Sequence, residues 1–242
     1  MTIGIHAVDN KVNNTMKLLL LSNSRGPDGA YLVHAIEPVR ALAGGRSRAL
    51  FVPFAGVAAA WDDYTATAQA ALAPAGLVLT GAHTVDAAAA SQFELIVVGG
   101  GNTFQLLREC RGRGWLDAIR TQVRGGTPYL GWSAGANLAC PTICTTNDMP
   151  IVEPGGFDAL GLIGIQINPH YTNALPAGHQ GETRNLRIAE YLAANTASTV
   201  VGLPEGNWLS VDDGSIVFRG PHMGFLFRHG TPEAELRDGM AL

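Results

Sequence analysis

The pentapeptide Gly131-Trp132-Ser133-Ala134-Gly135 matches G-x-S-x-G, the pattern in which a serine stands on a sharp turn between a strand and a helix. Its surroundings suit that placement: the apolar residues 128–131 precede it, and the helix-compatible Ala136-Asn137-Leu138-Ala139 follows. Small neighbours let the chain turn tightly, which strains the serine's backbone and exposes its hydroxyl at the carboxyl end of the sheet. There the backbone N–H of Ala134, at a helix N-terminus, can stabilise a developing oxyanion. A second cluster, Gly99-Gly100-Gly101-Asn102-Thr103, also follows a buried strand and opens a helix. Nucleotide binding is a weak reading of it, because Phe104 replaces the third glycine of G-x-G-x-x-G and no P-loop lysine follows. If the strands ending at Val98 and Gly131 are neighbours, N–H groups of Gly100 and Gly101 supply the second oxyanion donor. Each such donor contributes about 3 kcal/mol in the transition state.

A nucleophilic serine needs a base and a carboxylate to orient that base. Of seven histidines, His170 is the favoured one. It ends the stretch Ile165-Gln166-Ile167-Asn168-Pro169, at a strand's carboxyl end, where doubly wound sheets carry their sites. The others lie in polar or peripheral contexts. Glu205 follows the strand-like residues 199–203, in a turn stiffened by Pro204 and Gly206. Asp148, in Thr146-Asn147-Asp148-Met149-Pro150, competes for the same role. Either could instead cap a turn, and spacing alone leaves the choice open.

These groups need a scaffold that gathers strand ends. Residues 18–21, 49–54, 77–80, 95–98, 129–131, 166–168 and 199–203 read as strands. Most are continuously apolar, as strands covered on both faces must be. Residues 61–73, 103–110, 115–123 and 184–194 carry helical spacing between them. In the third, Trp115, Ile119 and Val123 fall at i, i+4 and i+8, with Gly125-Gly126 and Pro128 placed to end the helix. The expectation is an α/β fold with a doubly wound, mostly parallel sheet flanked by helices. Asp213-Gly214, between residues 208–211 and 215–218, predicts a small C-terminal β-hairpin on one sheet edge, continued by residues 223–228. Residues 1–16 read as a loosely held tail, and 17–242 as one catalytic domain.

Composition narrows the class of partner. Apolar residues make up 47% of the 242-residue chain and charged residues 15%, against about 25% charged in ordinary domains. Disorder and coiled coil are excluded. A net charge of −4 gives no footprint for nucleic acid or an anionic membrane, and no apolar run reaches the ~20 residues of a membrane span. A small-molecule substrate is the better expectation. Cys110, Cys140 and Cys144 are odd in number and form no C-x-x-C, which signals neither a disulfide framework nor structural zinc and fits a reducing cytoplasm. A homodimer is the expectation for assembly, with no coiled coil or charge seam to carry it.

The strings LLLLSNS, VPFAGV, VGGGNTFQLL, GWSAGANLACPTI, TNDMPIV, INPHYTNALP, GETR and GLPEGNW, running from residue 18 to residue 208, resemble the peptidase E family. These are aspartyl dipeptidases, serine peptidases whose fold is similar to that of class I glutamine amidotransferases. The resemblance implies hydrolysis of Asp-Xaa dipeptides without metal or cofactor. It matches Ser133 to the nucleophile, His170 to the base and Glu205 to the triad acid, with Asp148 the lesser alternative acid. It also matches Arg184 to the arginine that recognises the substrate aspartate. An arginine opening a helix opposes the helix dipole by a few tenths of a kcal/mol, yet its planar fork suits a bound carboxylate. A related cyanophycinase-like β-aspartyl hydrolase, or a catalytically silent binding protein, is the rival reading.

Overall fold

The computed structural model describes residues 15–242 apart from Pro27, Pro176 and His179. Residues 1–14 of the expected tail lie outside the described residues. Met16, the tail's last residue, packs against the core, and its carbonyl accepts the Asp213 N–H at 2.9 Å.

In chain order the elements are β1 (Lys17–Leu21), α1 (Ile36–Ala43), β2 (Arg48–Val52), α2 (Trp61–Leu72), β3 (Val78–Gly81), β4 (Leu95–Val98), α3 (Thr103–Gly112), α4 (Trp115–Arg124), β5 (Tyr129–Trp132), α5 (Ala134–Leu138), β6 (Gln166–Asn168), α6 (Arg184–Ala194), β7 (Thr199–Gly202), β8 (Trp208–Asp212), β9 (Ser215–Arg219), β10 (Gly224–Arg228) and β11 (Ala234–Leu236). No helix among the described residues is long and apolar enough to cross a membrane.

The main sheet has the order β3-β2-β4-β5-β1-β8-β9, with its first five strands parallel. The continuous apolar runs follow from burial on both faces, because side chains alternate across a strand. Leu18, Leu20, Leu50, Val52, Ile96 and Val98 enter one core cluster, with residues of α3, α4 and α5. Their neighbours Leu19, Leu21, Ala49, Phe51, Leu95 and Val97 enter the opposite one, with Val39 of α1 and Leu72 of α2. Trp115, Ile119 and Val123 are all buried, as their spacing requires. The predicted hairpin forms: Asp213 (φ 47°) and Gly214 (φ 84°) join β8 to β9, the double left-handed turn that Asp-Gly favours.

Two expectations need correction. Strands β6 and β7 do not extend the main sheet; with β10 and β11 they form a second one, ordered β11-β10-β7-β6. Residues 223–228 likewise do not continue the hairpin. As β10 they pair antiparallel with β7, where Phe227 and Val200 share a small core with Ile188 and Leu192 of α6. This pairing satisfies the edge of β7 that β6 leaves open. Helix α1 and strand β11 have no counterpart in the expected elements.

The register brings the site's segments together. Val98 lies opposite Gly131 across β4 and β5, so the glycine loop and the serine turn leave the sheet side by side. Strands β6 and β7 run parallel, so His170 and Glu205 emerge at one edge. Close approach explains both motif glycines: a Cβ at Gly131 would stand 2.5 Å from the Gly135 carbonyl oxygen, and one at Gly135 would stand 2.2 Å from that of Val98. Gly112, at the end of α3, faces open space. Gly135→Ala is therefore expected to destabilise the protein by at least about 1–3 kcal/mol through overpacking, while Gly112→Ala gains about 0.5–1 kcal/mol from helix propensity. Denaturant midpoints of the two variants check this, and equal midpoints would contradict it.

Candidate active site

Ser133 adopts φ 52°, ψ −114°, a conformation that an L-residue takes only when its surroundings impose it. Three constraints do so. Its N–H donates to the Leu21 carbonyl at 3.0 Å, and its own carbonyl accepts from Asn137 N–H at 3.0 Å. The buried Tyr129 hydroxyl donates to the Gly135 carbonyl at 2.6 Å, which ties the first turn of α5 back to β5.

His170 lies between the other two groups. Its Nε2 is 2.9 Å from Ser133 Oγ and its Nδ1 is 2.7 Å from Glu205 Oε1. In the tautomer this arrangement selects, Nδ1–H donates to the carboxylate and Nε2 accepts the serine proton. The histidine side chain is 40% exposed and that of Glu205 64%, so the dyad borders solvent and a small substrate can reach it. The backbone of His170 is itself left-handed, at φ 53°.

Asp148, the competing acid, has no contact with His170. Its Oδ2 accepts from the N–H and hydroxyl of Thr103 at 2.7 and 2.6 Å and from the Thr146 hydroxyl at 3.0 Å. The carboxylate thereby satisfies an orphan donor at the N-terminus of α3, where negative charge is favoured.

The second glycine cluster lies against the serine. A Cβ at Gly100 would be 3.0 Å from Ser133 Cβ, and one at Gly101, which takes φ 134°, would be 2.2 Å from the Ala55 carbonyl oxygen. Neither position tolerates a side chain. Tyr64, which has no signal in the sequence, donates its hydroxyl to the Gly100 carbonyl at 3.0 Å and receives the Trp132 indole N–H at 3.3 Å. Burial raises the Tyr64 phenol above its ordinary range, so it stays a donor. Ala134 opens α5, which leaves its N–H without an intrahelical acceptor.

Arg184 is the first residue of α6, where the Thr183 side chain caps Leu186 N–H. Its guanidinium donates to Asn147 Oδ1 and forms no ion pair among the described residues. Asn147 also takes the Asn168 amide at 2.7 Å and donates to the Pro169 carbonyl at 2.6 Å, so one side chain joins Arg184 to the segment leading into His170. Sequence reasoning missed Asn147, although it neighbours the candidate Asp148. Burial, then the charge of Arg187, lowers the Arg184 pKa. Arginine nonetheless remains charged at neutral pH.

None of the three cysteines belongs to the serine turn itself, residues 131–135. Cys140 is fully buried, its Sγ accepting from Ile167 N–H at 3.3 Å, and burial pushes its thiol up to about 12. A protonated buried thiol is no nucleophile. Cys110 is likewise buried and its thiol raised, while Cys144 is exposed.

The roles of the two acids separate by mutation. Glu205→Gln is expected to lower kcat by about 10²-fold or more through loss of the tautomer lock, with the unfolding midpoint little changed. Asp148→Asn is expected to cost about 0.5–2 kcal/mol of stability through the helix terminus. Steady-state kinetics with thermal unfolding check both, and the reverse pattern would exchange the roles.

The family model of peptidase family S51 matches residues 18–218. Peptidase E of Escherichia coli O1:K1 / APEC is 54% identical over 226 residues, covering 93% of this chain and 99% of that protein. Peptidase E of Shigella boydii serotype 18 matches to the same extent. The crystal structure of a peptidase from an acI-B1 Actinobacterium superposes with TM-score 0.68 at 17% identity, over 93% of this chain and 96% of that one, a likeness of fold. The strained serine after β5, the glycine loop beside it and the match over most of the chain converge on one assignment: the chain belongs to peptidase family S51.

Proposed function

We propose that residues 17–242 form one catalytic unit, a serine dipeptidase that hydrolyses Asp-Xaa through an aspartyl-enzyme ester. The observation carrying this reading is that His170 bridges Ser133 at 2.9 Å and Glu205 at 2.7 Å, with the cation of Arg184 joined to the same segment through Asn147.

His170 Nε2 takes the hydroxyl proton as Ser133 Oγ attacks the carbonyl carbon of the substrate aspartate. The imidazolium that forms is stabilised by Glu205, which also fixes the ring's orientation. Negative charge on the carbonyl oxygen is met by the Ala134 N–H and by N–H groups of the Gly100-Gly101 loop, whose orientation the Tyr64 hydroxyl fixes from behind. Collapse of the tetrahedral intermediate breaks the peptide bond, and His170 returns its proton to the leaving amine. Water, deprotonated by His170, then hydrolyses the ester and releases aspartate with Ser133 restored.

The specificity rests on Arg184. A half-buried guanidinium whose partner among the described residues is a neutral amide gains a charge-assisted, two-pronged partner when a carboxylate arrives. The substrate aspartate's side chain supplies that group, as the resemblance to the aspartyl dipeptidases implies, and the peptidase E relatives support a peptide substrate.

The test is turnover of Asp-Leu, Glu-Leu, Ala-Leu and β-Asp-Leu with chelator present, by wild type, Ser133→Ala and Arg184→Ala. Wild type is expected to prefer Asp-Leu, and Ser133→Ala to lose at least about 10⁴-fold in kcat. Arg184→Ala is expected to lose about 10²-fold in kcat/KM on Asp-Leu, the worth of a charged hydrogen-bonded pair of about 3 kcal/mol, and far less on Ala-Leu. Equal losses on both dipeptides would remove the specificity role, and preference for β-Asp-Leu would reassign the substrate.

A further inference from the structure

The Leu-Leu-Ser-Asn run that ends β1 holds no group of the proposed triad, yet it touches the segments carrying all three members. The Leu21 carbonyl accepts the Ser133 N–H at 3.0 Å. Next along the chain, the fully buried Ser22 accepts the His170 N–H through its Oγ at 2.8 Å and donates the hydroxyl proton to the Leu203 carbonyl at 2.8 Å. The Ser22 N–H donates to the Asn207 carbonyl at 2.9 Å. Asn23 Oδ1 then accepts the N–H of Gly206, beside Glu205, at 2.8 Å.

We infer that Ser22 is a positioning residue for the reaction: its hydroxyl locks the backbone of His170 to the main sheet and so sets the imidazole between Ser133 and Glu205. Three observations support this. First, the serine and the histidine leave different sheets, so the 2.9 Å spacing between their side chains is set by whatever fixes one sheet edge to the other. Ser22 does this through one atom that both accepts and donates. Second, His170 has φ 53°, a conformation of low intrinsic population for a residue with a side chain. A hydrogen bond to its N–H selects that conformation over extended alternatives that would swing the ring away. Third, the Leu203 carbonyl also accepts from Tyr171 N–H at 3.0 Å. Removing the Ser22 hydroxyl therefore leaves that carbonyl paired and releases chiefly the His170 N–H. The expected consequence is loss of alignment with the fold retained.

The inference rests on the proposed triad, and the experiment separates the two. Ser22→Ala and Ser22→Cys are compared with wild type and with Ile119→Val, a core change in α4 remote from the site. Turnover of Asp-Leu and the rate at which an organophosphorus reagent labels Ser133 are both read. Cysteine fills the space of the hydroxyl with a weak hydrogen-bonding group, and it is the variant to read if Ser22→Ala is not recovered folded. The expected result is kcat lowered about 10- to 100-fold with KM within about threefold of wild type, the size of effect that a misplacement near 1 Å produces. Labelling slows in parallel, and Ile119→Val stays near wild type in both. A folded Ser22 variant whose kcat and labelling rate stay within about threefold of wild type would overturn the inference, as would a loss borne by KM. If wild type is labelled at Ser133 but leaves Asp-Leu intact, the substrate assignment fails, and the labelling rates alone decide the role of Ser22.

Discussion

A serine held in a backbone conformation it would not choose is the constraint around which this protein is arranged. Strain of this kind costs about 1–3 kcal/mol and persists only where the packing over-determines it. Here the determinants come from three directions: the Leu21 carbonyl on one side, the turn of α5 on the other, and the Val98 backbone beneath, so close that position 135 has no room for a Cβ. A strand buried on both faces is what makes such a turn rigid. Strand β5 lies between β4 and β1, with helices packed on either side, and cannot relax to relieve its end. The same packing brings Gly100 against the serine, so the proposed nucleophile and the loop proposed to meet the oxyanion of its tetrahedral intermediate are set by one pair of neighbouring strands.

The second sheet divides the labour differently. Strands β6 and β7 are short, and what they deliver is a pair of side chains, His170 and Glu205, from parallel ends. A serine on one sheet and a histidine on another can be oriented separately, but their spacing then depends on the seam between the sheets. Hydrogen bonds at Ser22, Asn23 and Asn207 cross it, beside an apolar core that also draws on both sheets through Leu20, Leu209, Ile167 and Val201. Hydrogen bonds are directional where hydrophobic contacts are not, which suits a joint that must hold a distance to a fraction of an ångström.

What could be read from the chain follows the range of the interaction that decides it. The serine turn, the parallel strands and the Asp213-Gly214 hairpin are encoded in contiguous residues, and each formed as expected. The partition of strands between two sheets was not legible, because three-residue elements such as β6 carry too little pattern to reveal their neighbours. Residues 223–228 were misassigned for the same reason: their short apolar run suits any edge, and only the open side of β7 decides which. Glu205 and Asp148 were equivalent on paper, since each is an acid in a turn within two residues of a proline. Three-dimensional proximity to Thr103, 45 residues away from Asp148, separates them. Tyr64 and Asn147 act through carbonyls or amides distant in sequence, and no local pattern marks such a role.

The proposed function makes one demand on its substrate: a carboxylate must reach Arg184 while the scissile carbonyl reaches Ser133 and the two groups of N–H donors. A crystal structure of Ser133→Ala with Asp-Leu bound tests this most directly. The account predicts the aspartate side chain paired with the Arg184 guanidinium, the carbonyl carbon over position 133, and the carbonyl oxygen turned toward Ala134 N–H and the Gly100-Gly101 loop. A dipeptide bound with its side-chain carboxylate away from Arg184, or with its scissile carbonyl facing away from position 133, would contradict it.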